Sequence, residues 1–213
     1  SDKECEVITN NLSYLKKQSP KTIIWLGSSE PEKILFDKEK FLSFCKINKF
    51  YTENYFIIEN FTDFKKIALE QKNKKLILKS LTGSGSKGVF LINKDLKKNI
   101  NILRGRDCYE TNISFHKNKF KQKEKYVLMP YFEGDFFDVD CIVAKGKLLD
   151  FSIRKRNNKN QFLFYSTGHQ TIKNNIIKKT IAKFVKIAKI DGPCDFDVIL
   201  RNNKVILMEA SAR

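Results

Sequence analysis

Apolar residues recur at helical spacing in several segments of the chain. The strongest pattern covers residues 171–190, where apolar positions lie three or four residues apart and lysines fill many of the others. This period is typical of an amphipathic helix. Asp37 and Thr62 precede two further patterns and are predicted to be N-cap residues. Weaker helices are predicted over residues 4–18, 37–48, 62–73 and 93–103.

Short apolar runs between turn-forming residues predict β-strands. Two longer segments predict hairpins with turns at Lys145–Gly146 and Asn202–Asn203, because glycine and asparagine tolerate the positive φ that tight turns require. The elements lack a regular βαβ alternation, so the predicted fold class is α+β with antiparallel sheets. Single strands are predicted over residues 22–27, 55–59, 74–79, 89–92 and 126–132, and the hairpins over residues 136–156 and 196–209.

The composition indicates a folded protein with a lysine-rich surface. The 213 residues are 41% hydrophobic and 12% aromatic, which is enough to bury a core. The formal net charge of +17 would also suit a nucleic-acid-binding protein. However, most of the 41 basic residues are lysines spread along the whole chain. We therefore favour a solvated surface and keep a basic nucleic-acid-binding protein as an alternative.

The cysteines and the hydropathy pattern predict a soluble, cytoplasmic protein. The five cysteines are widely spaced and form no CxxC pair or Cys/His cluster, which argues against a sulfur-ligated metal. No apolar run approaches the roughly 18 residues of a membrane span. The N-terminal residues also lack the apolar core of a signal peptide. No membrane partner is expected.

A glycine-rich segment, LILKSLTGSGSKGV at residues 76–89, joins two predicted strands. It is not a Walker A motif, which opens a helix, and it is not the glycine fingerprint of a Rossmann fold. A glycine loop between antiparallel strands can instead fold over a nucleotide, with its backbone N–H groups directed at the phosphates. A plain hairpin loop explains the same residues equally well.

The C-terminal hairpin places two carboxylates near each other. Asp197 begins one strand and Glu209 ends its partner, and Ser211 follows on the same predicted face. Two adjacent carboxylates repel unless a cation lies between them. Oxygen ligands favour Mg²⁺ or Mn²⁺, which also bind nucleotide phosphates. The alternative is a solvated pair at the edge of the sheet.

Five motifs follow one another along the chain: DK-x-x-F, LILKSLTGSGSKGV, VLMPYFEGDFFDVD, IRKR and GPCDFDVILRNNKVILMEASAR. In this order they resemble the ATP-grasp superfamily over residues 22–213, most closely the large-chain type of carbamoyl phosphate synthase. The resemblance implies two α+β lobes that clasp ATP, with an N-terminal Rossmann-like lobe largely missing. The chain would divide into a remnant and linker (1–36), a small lobe with the glycine flap (37–125) and a large lobe with the metal hairpin, truncated at its C-terminus (126–213).

The resemblance also implies a nucleotide site. Lys38 and Lys79 would contact the phosphates of ATP, and the backbone of the inter-lobe segment would bind the adenine. The family often has an acidic ribose ligand where this chain has Phe136, and Asp135 would take that role. The flap residues would be Gly83, Ser84, Gly85, Ser86, Lys87 and Gly88. The adenine segment runs from Leu128 and includes Met129, Pro130, Tyr131 and Phe132.

The implied reaction is the phosphorylation of a carboxylate to an acyl phosphate, which an amine or ammonia then attacks. Arg213, Arg154 and Arg156 would bind the transferred phosphoryl group or the acceptor. His169 would line the acceptor site or lie on the surface. The expected partners are ATP and a small carboxylate–amine pair, with a homodimer allowed. The metal ligands would be Asp197, Glu209 and Ser211.

Ser211, Phe136 and the apparent truncation depart from the family pattern and make a second interpretation necessary. The family's E-x-N-P-R sequence stands here as Glu209-Ala210-Ser211-Ala212-Arg213. A hydroxyl is a weaker metal ligand than an amide oxygen. The chain could therefore be an ATP-binding module that is catalytically weak or inactive, rather than an active carboxylate–amine ligase.

Overall fold

The computed structural model describes a chain that forms two compact units. The first unit contains Ser1–Thr52, Asp135–Arg156 and His169–Arg213, and the second contains Glu53–Gly134 and Asn157–Gly168. These units combine segments that are distant in sequence, whereas the predicted division into three consecutive segments stays a prediction. The structure describes residues 2–28, 34–52, 54–73, 75–81, 88–102, 109–122, 124–131, 134–157 and 168–213.

The described elements are five α-helices, one 3₁₀ helix and eleven β-strands. No described helix has both the length and the apolar character needed to cross a bilayer. The helices are α1 (Asp2–Asn10), α2 (Leu12–Gln18), α3 (Lys38–Ile47), α4 (Phe61–Glu70), the 3₁₀ helix (Ile113–Gln122) and α5 (Asn175–Ile187). The strands are β1 (Phe56–Ile58), β2 (Lys75–Ser80), β3 (Val89–Asn93), β4 (Ile100–Ile102), β5 (Tyr109–Thr111), β6 (Tyr126–Pro130), β7 (Asp135–Ala144), β8 (Lys147–Arg156), β9 (His169–Ile172), β10 (Gly192–Arg201) and β11 (Lys204–Ala212).

The first unit is built on a five-stranded antiparallel sheet with the order β11-β10-β7-β8-β9. Helices α3 and α5 pack on its strands. Phe184 of α5 is fully buried, and its ring lies 5.2–5.5 Å from four other aromatic rings. These rings belong to Phe41, Phe44, Phe50 and Phe196. One face of the sheet therefore packs against an aromatic core.

The second unit contains a six-stranded sheet with the order β1-β6-β2-β3-β5-β4. Its strands pair antiparallel except for β3 and β5, which run parallel. The core contains Phe64 of α4, Phe90 of β3 and Phe120 of the 3₁₀ helix. His116 is fully buried among these aromatic side chains, and its Nε2 lies 2.8 Å from the Thr111 hydroxyl.

The predicted α+β class and both hairpins are confirmed. Lys145 and Gly146, and likewise Asn202 and Asn203, have positive φ at the two hairpin tips. The Asp37 cap is also confirmed, because its carboxylate accepts hydrogen bonds from the backbone N–H groups of the first helical turn at 2.9 and 3.0 Å. The two turns and the Asp37 cap were therefore correctly predicted from local sequence.

Two helix boundaries differ from the predictions because neighbouring asparagines act as caps. Asn60, and not Thr62, caps α4 by accepting a hydrogen bond from the Asp63 backbone N–H at 2.9 Å. Asn174 caps α5, so this helix begins four residues later than predicted. The residues before this cap form β9, whose pairing with β8 was not visible in the helical pattern.

Three predicted elements differ from the described structure. The predicted helix over residues 4–18 is interrupted at Asn11, between α1 and α2. The predicted helix over 93–103 is replaced by a turn and β4, because the Asn93 side chain accepts a hydrogen bond from the Asp95 N–H. The predicted strand over 22–27 does not pair with another strand. The adjacent Ser28 forms an isolated bridge with Asp191, and Ile23 is 92% exposed.

We predict that His116 makes the second unit acid-sensitive. Burial, with a contribution from Lys119, lowers the pKa of His116 from 6.5 to about 3. The unfolded chain therefore binds a proton that the folded unit excludes, and stability falls as the pH drops below the unfolded value. Between pH 7 and pH 5 the free energy of unfolding should fall by about 2 kcal/mol.

Urea unfolding of His116→Gln and wild-type protein at a series of pH values tests this expectation. The variant should lose the acid-dependent step, even if it is less stable throughout. The His169→Gln variant, in which the other histidine is replaced, is the matched control and should keep the step. Equal pH slopes for wild type and His116→Gln would show that His116 does not carry the effect.

Candidate functional site

One face of the five-stranded sheet carries alternating charged residues, and we call it the polar face. On β10, the buried Cys194, Phe196 and Val198 alternate with the partly exposed Asp195 and Asp197. Side chains of a strand point to opposite faces in turn, so the aromatic core on one side requires the charged residues on the other. The polar face comprises Asp138, Asp140, Arg154, Arg156, His169, Asp195, Asp197, Glu209 and Ser211.

The hairpin of β10 and β11 brings the predicted metal ligands together. Asp197 lies directly opposite Glu209, and Ser211 lies directly opposite Asp195. The pairing depends on an irregularity, because Val198 pairs with Leu207 and Met208 is left as an extra residue. This β-bulge shifts the register by one position.

Without the bulge, the two-residue turn would place Met208 opposite Asp197. Glu209 would then lie opposite Phe196, on the face that forms the aromatic core. The bulge therefore decides that both carboxylates lie on the polar face. From the sequence we predicted only that the ends of the two strands meet, and a regular hairpin would not have paired Asp197 with Glu209.

Each carboxylate of the predicted metal pair contacts a cation within the first unit. Asp197 accepts a hydrogen bond from Arg156 Nη2 at 2.7 Å, and Glu209 Oε1 lies 3.2 Å from Lys38 Nζ. The neighbouring pairs are Arg213 with Asp195 at 2.6 Å and Arg154 with Asp140 at 2.7 Å. Arginine and lysine side chains of the first unit thus neutralise most of the negative charge of the polar face.

Arg156 is the centre of the most enclosed part of this network. Its Nε donates to both carboxylate oxygens of Asp138, at 3.0 and 3.1 Å, and its Nη2 contacts both Asp138 and Asp197. Burial alone would raise the pKa of Asp138, but the hydrogen bonds and charge of Arg156 lower it. Burial would likewise lower the pKa of Arg156, and the two carboxylates raise it. His169 completes the cluster, with its Nε2 at 2.8 Å from Asp138.

Asp195 is the carboxylate with the least favourable surroundings. Burial raises its pKa to about 7; the charge of Arg213 opposes this shift, and Asp197, Asp140 and Glu209 add to it. Its Oδ1 is buried and has no hydrogen-bond partner in the part of the chain that the structure describes. Such an oxygen is a candidate ligand-binding atom, because a new polar contact would offset the free-energy cost of leaving a buried acceptor without a hydrogen bond.

The oxygen donors of the polar face fit a hard divalent cation in their chemistry. Asp197 and Glu209 supply carboxylates, Ser211 supplies a hydroxyl, and the unpartnered Asp195 oxygen lies on the strand position opposite Ser211. Among the described residues, however, no group of three or more His, Cys, Asp or Glu side chains is arranged to hold a metal ion. A cation would therefore bind to carboxylates that Arg156 and Lys38 already contact.

The other predicted nucleotide residues lie mostly in the second unit. Lys79 is near the end of β2, and Gly88 begins the return of the glycine loop with a φ of 74°. Met129 and Pro130 end β6, and Tyr131 follows them. Asp135 belongs to the first unit and pairs with Lys155 at 2.8 Å. The predicted residues Gly83, Ser84, Gly85, Ser86, Lys87 and Phe132 lie outside the described residues.

Three carboxylates of the polar face were not predicted from the sequence. Asp138, Asp140 and Asp195 were not assigned a role, although the sequence contains the signal. The segments Asp138-Val139-Asp140 and Asp195-Phe196-Asp197 both alternate carboxylates with apolar residues, as strands with one buried face do. Pairing of Asp138 with Asp197 and of Asp140 with Asp195 then places all four on one face.

Comparison with known proteins gives similarity in structure without similarity in sequence. No protein-family model matches the chain, and no curated protein matches it. A D-alanine–D-alanine ligase from Coxiella burnetii has a TM-score of 0.60 at 12% identity, covering 87% of this chain and 50% of that chain. An L-amino acid ligase from Bacillus licheniformis has a TM-score of 0.58 at 16% identity, covering 85% and 41%. The D-alanine–D-alanine ligase from Bacillus anthracis complexed with ATP has a TM-score of 0.53 at 18% identity, covering 84% and 55%. The chain thus spans about half the length of these proteins.

We predict that Lys38 and Glu209 are energetically coupled. Both side chains are largely shielded from solvent, so removing one leaves the other with a poorly solvated charge. A double-mutant cycle with Lys38→Met and Glu209→Gln should give a coupling of about 1–2 kcal/mol in the free energy of unfolding.

The exposed pair of Lys125 and Glu59 provides the matched control for this cycle. Its side chains are 54% and 60% exposed, so Lys125→Met and Glu59→Gln should couple by less than about 1 kcal/mol. Urea unfolding measures both cycles. Similar coupling energies for the two pairs would show that burial does not strengthen the Lys38–Glu209 contact.

Proposed function

We propose that this chain, which has the ATP-grasp fold, acts as an ATP-dependent ligase. It would phosphorylate a carboxylate to an acyl phosphate, which an amine or ammonia then attacks. The structural neighbours support this class, because they include amino acid ligases and one ligase complexed with ATP. At their low sequence identity, these neighbours show the fold alone. The activity is our inference from the fold and from the polar face.

The observation that carries the proposal is the pairing of Asp197 with Glu209 across the terminal hairpin. Together with Ser211, these residues would hold Mg²⁺ or Mn²⁺. A divalent cation bound there would neutralise charge on the phosphates of ATP. The bulge at Met208 supports this assignment, because it turns Glu209 away from the core and onto the polar face.

The three predicted catalytic arginines differ in how far their side chains are exposed to solvent. Arg213 is 52% exposed and Arg154 is 37% exposed, so both can reach a phosphoryl group or an acceptor carboxylate. Arg156 is 13% exposed and lies between two carboxylates. We assign the anion-binding role to Arg213 and Arg154. Phosphoryl transfer requires positioned charge rather than a protein nucleophile, and such arginines meet that need.

Lys38, Lys79 and the glycine loop are proposed to bind the phosphates of ATP. The contact between Lys38 and Glu209 supports a role for Lys38 near the carboxylate pair, since the two residues are 3.2 Å apart. Adenine binding by the backbone around Met129 and Tyr131, and ribose binding by Asp135, remain predictions from the sequence resemblance.

An ATP-binding module without turnover is the second candidate, and two observations favour it. Ser211 offers a hydroxyl where an amide oxygen is common in the family. In addition, Arg156 and Lys38 already contact the two carboxylates. If Arg156 and Lys38 held these oxygens too firmly, nucleotide would bind without transfer of its phosphoryl group.

Release of ADP distinguishes an active ligase from a binding module. The wild-type chain, given ATP and Mg²⁺ with mixtures of small carboxylic acids and amines, should release ADP. Asp197→Asn and Glu209→Gln should each lower this rate by about 100-fold or more, because each removes one charge from the predicted metal site.

Asp150→Asn is the matched control for these substitutions. Asp150 is an exposed carboxylate on β8, and its Oδ1 accepts a hydrogen bond from the adjacent Phe151 N–H. This variant should keep the wild-type rate. Unchanged ADP release in both Asp197→Asn and Glu209→Gln would contradict the ligase assignment, and tight ATP binding without any ADP release would favour the binding module.

A further inference from the structure

Asp138 has no role in the proposed reaction, yet it is among the most constrained carboxylates of the polar face. Its side chain is 14% exposed, and it receives hydrogen bonds from Arg156 and a contact from His169. Asp138 lies on β7, directly opposite Asp197 on β10 and Arg154 on β8. It is therefore at the centre of three adjacent strands of the sheet.

The guanidinium of Arg156 connects Asp138 to Asp197. Its Nε donates to both oxygens of Asp138, and its Nη2 reaches Asp197 Oδ1 at 2.7 Å. A planar guanidinium held by two oxygens on one side has little freedom to rotate. Asp138 therefore orients the Nη2 donor that contacts the Asp197 carboxylate.

We propose that Asp138 is a positioning residue that fixes Asp197 for divalent-cation binding through Arg156. The inference rests on the proposed function, because it assumes that Asp197 is a cation ligand. In metal sites, partners that orient a ligand from behind typically contribute 10- to 100-fold to metal affinity. The geometry gives Asp138 and Arg156 this supporting position.

Arg156 could act in a different way, and the two possibilities predict opposite results. If its charge mattered only as a repulsive cation beside Asp197, removing it would strengthen the binding of a divalent cation. If it positions Asp197, removing it weakens that binding, because the carboxylate loses its fixed orientation. Arg156→Met keeps an unbranched side chain but removes the positive charge and the hydrogen-bond donors.

The test is the gain in ATP affinity that Mn²⁺ provides to the full chain. ATP binding is measured by calorimetry in excess EDTA and again with Mn²⁺, and the ratio of the two dissociation constants is the gain. Binding of Mn²⁺ itself is followed by electron paramagnetic resonance in the presence of ATP. Neither measurement depends on turnover.

Asp138→Asn should lower the Mn²⁺-dependent gain by about 10- to 100-fold and leave ATP affinity in EDTA within about twofold of wild type. Arg156→Met should have the same effect, and the double variant should lose less than the product of the two single losses, because Asp138 and Arg156 act on the same Asp197 carboxylate. Asp150→Asn, an exposed Asp-to-Asn change on the adjacent strand, should keep the full gain.

Three results would overturn the inference. The first is a Mn²⁺-dependent gain in Asp138→Asn equal to that of Asp150→Asn. The second is an equal loss of ATP affinity in EDTA and with Mn²⁺ in Asp138→Asn, which indicates a structural role alone. The third is a stronger gain in Arg156→Met, which indicates a repulsive cation.

The Asp197→Asn variant distinguishes failure of this inference from failure of the proposed function. If Asp197→Asn loses the Mn²⁺-dependent gain while Asp138→Asn keeps it, Asp197 is a ligand and only the positioning role is wrong. If Asp197→Asn keeps the gain, Asp197 is not a ligand, and both the proposed metal site and the positioning role are wrong.

Discussion

The pairing of carboxylates with cations on one face of the five-stranded sheet is the constraint on which the rest of the first unit depends. The opposite face is occupied by an aromatic core around Phe184, so charged residues have only one face available. Five carboxylates on that face would repel one another strongly if left unpaired. Arg154, Arg156, Arg213 and Lys38 make this concentration of negative charge tolerable.

The same pairing shapes what the polar face can do. The positive and negative charges of the polar face are already balanced. The cation of one ion pair can therefore be exchanged for an incoming divalent cation at modest electrostatic cost. Arg213 and Arg154 are exposed enough for such an exchange, whereas Arg156 is enclosed by Asp138 and Asp197. We therefore see the polar face as a fixed inner part around Arg156 with more accessible pairs beside it.

Local sequence signals were most successful where the chemistry was also local. Asp37 caps its helix because its carboxylate reaches N–H groups two and three residues ahead, and Asn202–Asn203 forms a turn because asparagine tolerates positive φ. The predicted strand over residues 22–27 failed for the opposite reason. An apolar run becomes a strand only if another strand pairs with it, and no sequence pattern within the run contains that information.

The sequence by itself determined the alternation of carboxylates and apolar residues on β7 and β10, and hence that these strands have one charged and one buried face. It also indicated that Asp197 and Glu209 lie near each other. Only the tertiary structure decided that the bulge at Met208 places Glu209 opposite Asp197, and that Arg156 joins Asp138 to Asp197. These features depend on contacts between separate strands, whose register is set by packing of the whole sheet rather than by any one segment.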